Sequence, residues 1–418
     1  MKHTGIVAEY NPFHNGHLRQ LRFLRQQGVK LIAVAMSGNF VQRGAPAWAD
    51  KYLRARMALE QGADLVFELP VLYSLASAQG FASGGISLLD SLNLDSFCFG
   101  CETDNLDTLQ ETARFLAQEP PAFQTILQKK LQEGLSFPAA REYALTHLLS
   151  DSPSLSGSDT TEYAAILSRP NNILAVEYLR AALCQKSSMT PIPIQRNDAG
   201  YNSLILSDTA PSSASSIRAA CETDDGIVSC RGALPAQVYS LLQEQPERCG
   251  IVPDDFSEII YYALRHAIET NTLTEYGEIS PELSNRITHF LPEYTTLGTF
   301  IPLLKTKNTT YSHISRNLFQ LLLGIRSSLA GQIHRPVPYL RLLGIRKESS
   351  AYLRKITAPP VITKTADGMK QLKQSGTSFS ADCFKLDLLA ADLYRHVLFH
   401  KTGCLLPDEY RAGIIIVS

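Results

Sequence analysis

The chain has 418 residues, a net charge of −1, 44% hydrophobic residues and 19% charged ones, a globular composition in a length that predicts two domains, or three. It contains no run of roughly 18 uncharged apolar residues, and its start, MKHTGIVAEY, lacks the basic, apolar and small-residue order of a signal peptide. A cytoplasmic protein is therefore expected, and a membrane-spanning one is not. Its eight cysteines are scattered, so reduced thiols are expected rather than a disulfide framework. Only CFGC (98–101) has metal-like spacing; without a second such pair it reads as the end of a buried strand.

The first hundred residues alternate between short β-branched runs and helical patterns. HTGIVAEY and KLIAVAMS read as strands, and NGHLRQLRFLRQQG between them repeats Leu18, Leu21 and Leu24 at helical spacing until Gly28. DKYLRARMALEQGA predicts a second helix before the strand DLVFELP, and LDSFCFG supplies another strand. This order predicts an open, mostly parallel sheet that holds ligands at the carboxyl ends of its strands. Residues 104 to 184 turn helical, TPIPIQR reads as a last strand, and SDSPSLSGSDTT (150–161) as a mobile loop. Beyond 225 helices dominate, so a boundary is placed there, with a catalytic segment 1–225 and a mostly helical segment 226–418.

EYNPFHNGHL, at residues 9–18, lies where the first strand turns into the first helix. The N–H groups of a helix start have no intrahelical partners and attract anions. His14 and His17 can direct imidazole N–H groups to a phosphate on that side, as attack on an α-phosphate requires. A strand before and a helix after make HxGH a nucleotidyl-transfer candidate rather than an incidental turn. Charge is segregated as well. Residues 305–373 carry 13 Lys and Arg against only Glu348 and Asp367, a net of +11 in a chain whose total is −1. Such a segment is the footprint of a polyanion surface.

HxGH after the first strand resembles the signature of the nucleotidylyl transferase superfamily, and SSASSIR (212–218) resembles its serine-rich second motif. The stretches GIVAEYNPFHNGHL, MSGNFVQRG, DKYLRARMALEQGADLVFELP, FGCE, PNNILAVEYLRA and PIQRNDAGYNS, with YSHISRNLFQLLLGI and YLRLLGIRK further on, resemble the bacterial tRNA(Met) cytidine acetate ligase family. One departure is Ala45, where that family tends to carry an acid, so a charge role at that position is not expected.

The resemblance implies an α/β, Rossmann-like catalytic domain with helical insertions, followed by a mostly α-helical tRNA-binding domain. It implies a ligase that joins acetate to ATP, releases pyrophosphate, and passes acetyl to N4 of the wobble cytidine, position 34 of elongator tRNA(Met). ATP is then a substrate, accompanied by magnesium, with no metal held as a prosthetic group. The segment Val7, Ala8, Glu9, Tyr10, Asn11, Pro12, Phe13, His14, Asn15, Gly16, His17 and Leu18 is expected to cradle ATP, with His14 and His17 catalytic. Gly100, Asn171, Arg196, Ser215, Ser216 and Arg218 are expected to complete the nucleotide site, and Lys51 and Arg43 to contact phosphate or acetate. Lys305, Lys307, Arg316, Arg326, Arg335, Arg341, Arg346, Lys347, Arg354 and Lys355, interleaved with Tyr311, His313, Tyr339 and Tyr352, are expected to bind the tRNA. Two other readings stay open at this point: a small-molecule adenylyltransferase of the same superfamily, and a non-catalytic RNA-binding protein on a degenerate nucleotide-binding fold.

Overall fold

In the computed structural model the described residues are 3–103, 105–150, 163, 166–196, 213–223, 226–375 and 377–418. The loop expected at 150–161 lies, Ser150 apart, outside them, as do residues 197–203 of PIQRNDAGYNS and Ser212 of the serine-rich motif.

The amino-terminal half forms the predicted alternation: β1 (His3–Ala8), α1 (Asn15–Gln26), β2 (Leu31–Ser37), the hairpin strands β3 (Phe40–Val41) and β4 (Ala45–Pro46), α2 (Lys51–Glu60), β5 (Leu65–Leu69), α3 (Ala78–Ser91) and β6 (Ser96–Cys101). Gly28 ends the first helical pattern in the left-handed region, at φ +78°. Helices follow at 106–118, 121–132, 137–150 and α4 (Pro170–Cys184), before β7 (Thr190–Gln195) and α5 (Ala214–Cys221).

β1 runs parallel to β2 on one side and to β6 on the other. The chain therefore reverses its direction of travel across the sheet at β1, the switch point where an open α/β sheet leaves a crevice at the carboxyl ends of its strands. β2 is buried along its whole length. Leu31, Ala33 and Ala35 pack into one core and Ile32, Val34 and Met36 into the other, which is why LIAVAMS is apolar without alternation.

After residue 225 the chain is mostly helical, as expected, but it does not leave the sheet. Beyond helices that include α6 (Tyr311–Leu322), β8 (Leu340–Arg346) pairs antiparallel with β5, and β9 (Val361–Ile362) and β10 (Ile415–Val417) run parallel to β8. The sheet order is β10-β8-β5-β2-β1-β6-β7. One core takes residues from both halves, from Leu31 and Phe67 to Phe300, Leu318 and Leu398 of α7 (Ser378–Thr402). The expected boundary near 225 is thereby corrected: the two segments share one sheet and one core. YLRLLGIRK concealed a strand because its two arginines break the apolar run.

Candidate active site

A cavity of about 1100 Å³ opens at the carboxyl ends of β1 and β6. The polypeptide leaves β1 at Ala8 and turns sharply, with Tyr10 at φ +49°. Left-handed backbone at a residue other than glycine is held only where packing enforces it. Here Tyr10 is buried against Phe13 and His17, with ring centroids 4.9 and 4.8 Å away. Its hydroxyl finds no hydrogen-bond partner among the described residues.

His14 caps α1. Its Nδ1 accepts the Gly16 N–H at 3.0 Å, while the His14 N–H donates to His17 Nδ1 at 3.2 Å. The two rings stack with centroids 3.8 Å apart. Because each Nδ1 accepts a backbone N–H, each neutral ring carries its proton on Nε2, the edge left for a ligand. Burial, then the charges of Arg196 and Arg218, push the His14 pKa down to about 3. Burial, then His14 and Arg196, holds His17 well below the usual range as well. The pair is thus two uncharged donors. Gly16 makes the stack possible, since a Cβ there would lie 2.8 Å from His14 Cε1 and 3.0 Å from its Nδ1.

The serine-rich motif faces the same cavity. Ser213 caps α5, accepting the Ser216 N–H at 3.1 Å, and Ser213, Ser215 and Arg218 line the wall. Arg218 donates to the Asn11 carbonyl at 2.6 Å, tying this helix to the turn after β1. Burial lowers the Arg218 pKa, while Glu9 opposes that shift and Arg43 adds to it.

Of the expected nucleotide residues, Val7, Ala8, Glu9, Tyr10, Asn11, His14, His17, Gly100, Asn171, Arg196, Ser215 and Arg218 line the cavity, as does Arg43. Pro12, Phe13, Gly16 and Leu18 shape the turn from behind it, and Asn15 Nδ2 donates away from it, to the Gly232 carbonyl at 2.9 Å. Ser216 is corrected: it is buried, and its hydroxyl donates back to the Ser213 carbonyl at 2.8 Å. Gly100 has a local reason, since a Cβ there would come within 2.9 Å of the Arg196 side chain. Asn171 donates to Glu102 Oε1 at 2.6 Å, and the Asn172 N–H donates to Glu102 Oε2 at 2.7 Å. The carboxylate of FGCE is therefore the cap of α4.

Lys51 is also corrected. It is 1% exposed, and its Nζ lies 2.8 Å from Glu68 Oε2 and 3.1 Å from Glu409 Oε2. Arg341, expected on the tRNA surface, completes this buried quartet by pairing with the same two carboxylates. Burial and Arg341 would lower the Lys51 pKa, but Glu409 and Glu68 hold it above the usual range. Two acids balance two bases, so neither cation is available to a phosphate.

Sequence reasoning missed the fully buried Arg54, which donates to the carbonyls of Ala49, Glu9, Ser37 and Gly38. It fixes the ends of β1 and β2 where the cavity opens. Its signal was a basic residue one turn after Lys51, among the buried apolar positions Leu53, Ala55, Met57 and Ala58 of α2.

The expected tRNA residues divide. Lys305, Lys307, Arg326, Arg335, Lys347, Arg354 and Lys355 are exposed. Arg326 is paired with Glu275 and covers Tyr276, and Arg335 covers Phe379. Arg346 is half-buried and donates to the Leu59 carbonyl at 2.7 Å, closing the end of α2. Arg316 lines the cavity with Thr310 and Ser312. Tyr339 and Tyr352 are core residues and offer no ring to a base, whereas Tyr311 is exposed and His313 half-buried.

A model of the HIGH Nucleotidyl Transferase family matches residues 1–404. The chain belongs to this family. Within it, the chain is 36% identical over 422 residues to the tRNA(Met) cytidine acetate ligase of Clostridium acetobutylicum, covering 100% of both chains. It is 35% identical over 397 residues, 93% of each chain, to the ligase of the same name from Halothermothrix orenii. The crystal structure of Thermotoga maritima TmcAL superposes with a TM-score of 0.92 at 28% identity, and the form bound with alpha-thio ATP with 0.90 at 28%, each over 100% of both chains. The likeness to the tRNA(Met) cytidine acetate ligases thus extends over the whole chain. Among the described residues no helix is long and apolar enough to cross a membrane, and no three His, Cys, Asp or Glu side chains converge to hold a metal.

Proposed function

We propose that the chain is an ATP-dependent tRNA(Met) cytidine acetate ligase, working in the cytoplasm. An oxygen of acetate attacks the α-phosphate of ATP, the bond to the β-phosphate breaks, and pyrophosphate leaves with its electron pair. N4 of the wobble cytidine then attacks the acetyl carbon, AMP departs, and the amine releases a proton. The observation that carries this reading is the stacked pair of neutral imidazoles, each fixed through Nδ1 to the helix start.

Fixed neutral donors suit this chemistry. Acetate is already an anion and needs no general base, while the charge that develops on the α-phosphate needs donors already in place. Arg196 and Arg218, within electrostatic reach of His14, are suited to the charge of the triphosphate. Magnesium would accompany the triphosphate and screen its charge.

For the tRNA, the exposed Lys305 and Lys307 lie just before α6, which carries Thr310 and Ser312 of its N-terminal end, with Arg316, on the cavity wall. That continuity supports a reading in which Lys305 and Lys307 bind tRNA phosphates beside the opening through which an unstacked anticodon base would enter. A small-molecule adenylyltransferase would leave these exposed lysines without a use. Incubation with ATP, labelled acetate and tRNA(Met) tests the proposal. Label is expected in N4-acetylcytidine at the wobble position; pyrophosphate release without label in the tRNA would overturn it.

A further inference from the structure

The ten-residue span from Cys221 to Cys230 joins α5 to a 3-10 helix at 226–233. The Cys221 and Cys230 Sγ atoms lie 3.3 Å apart, both as free thiols. Cys221 is half-buried and Cys230 fully buried, with its sulfur 3.4 Å from the Ile217 carbonyl of α5.

Both helices hold a part of the ATP site. α5 carries Ser215 and Arg218, the latter three residues before Cys221 and bonded to the Asn11 carbonyl. The 3-10 helix carries Gly232, whose carbonyl holds Asn15, the residue between His14 and Gly16. The thiol pair therefore lies between the two supports of the phosphate-facing wall.

We infer that Cys221 and Cys230 are a modification site: an oxidisable dithiol whose closure to a disulfide shifts α5 against the HxGH turn and weakens ATP binding. The disulfide rests on geometry alone; its effect on ATP rests on the function proposed above. A disulfide bond is about 2.05 Å long, so closing the pair brings the two sulfurs more than an ångström nearer to each other and ties the end of α5 to the 3-10 helix. A hydrogen bond between the thiols holds Cys230 below and Cys221 above the ordinary thiol range, giving the pair one readier thiolate.

The oxidant is a peroxide or a small disulfide. With hydrogen peroxide, one thiol gains oxygen to become a sulfenic acid and one water leaves. The second sulfur then displaces that oxygen as another water, so two thiols are oxidised and one peroxide is reduced to two waters. Under reducing conditions the pair stays open.

The test treats the full chain with hydrogen peroxide, maps disulfides by peptide mass, and measures equilibrium binding of ATP before oxidation, after it, and after dithiothreitol. The expected result is a 221–230 linkage and a fall in ATP affinity of roughly tenfold, equivalent to about 1.4 kcal/mol of binding. Dithiothreitol should reverse the fall, and both C221S and C230A should abolish it. A linkage through Cys249, no linkage, or a linkage that leaves ATP affinity unchanged would each overturn the inference. Failure of the reduced protein to bind ATP would instead sink the proposed function, with the disulfide still read by mass.

Discussion

The imidazoles of His14 and His17 stack 3.8 Å apart, and the His14 backbone N–H donates to the His17 Nδ1 at 3.2 Å. Each ring is fixed by the turn it helps to cap, so the geometry proposed for catalysis and the start of α1 are a single structure. His17→Ala removes one donor aimed at the developing charge and should lower acetyl-adenylate formation by about 10²–10³-fold. Filter binding should show tRNA affinity unchanged; a parallel loss of both would contradict the assignment of His17 to the chemistry.

Gly16→Ala separates position from composition. Alanine in place of glycine ordinarily stabilises a helix by about 0.5–1 kcal/mol. Here the added methyl meets the His14 ring at 2.8 Å, so thermal stability should change little while kcat falls by roughly 10²-fold. Thermal melts and adenylate formation on one preparation measure both.

The neutral histidines also set a stability profile. Their folded pKa values lie below the unfolded value of 6.5, that of His14 at about 3, so between these limits only the unfolded chain takes up protons. Stability is then present above pH 6.5 and is lost as pH falls below it, by about 1.4 kcal/mol per unit for each histidine. Urea unfolding at pH 7 and pH 5 should show a smaller drop for a His14→Asn, His17→Asn chain than for the natural one.

Lys51→Met tests the buried quartet. With Glu68 and Glu409 left to Arg341 alone, stability should fall by about 3–5 kcal/mol, as when one partner of a buried pair is removed. The KM for ATP of the protein that remains folded should be unchanged; a raised KM with unaltered stability would restore Lys51 to the phosphate site.

Salt dependence distinguishes exposed from buried basic residues. Replacing Lys305 or Lys307 by alanine should reduce the salt slope of tRNA binding by about 1 for each phosphate that is no longer neutralised. Arg346→Ala, whose side chain closes α2, should lower the melting temperature and leave that slope as it was.

The amino-terminal fold was legible because β1, α1, β2 and β5 each follow one period, and because strands buried on both faces read as unbroken apolar runs. HxGH was legible as a candidate site motif because a strand and a helix start frame it, and SSASSIR because a serine-rich helix start accompanies HxGH in the same segment. What sequence could not show was which charges were already used. Lys51, Arg341 and Arg346 look on paper like Lys305 or Lys347, and only distant partners, Glu409 among them, separate the two groups. Glu102 and Arg54 escaped notice for the converse reason: their work is to hold backbone groups of other segments, and such pairings have no local spacing.

The most direct test is a chase of preformed intermediate. The protein is loaded with ATP and carboxyl-labelled acetate, freed of unbound ATP, and mixed with tRNA(Met). The bound label should pass to N4 of the wobble cytidine without further ATP, at a rate no slower than overall turnover. Label that enters tRNA only after fresh ATP is added, or AMP that stays on the acceptor, would contradict activation of acetate at the His14 and His17 turn.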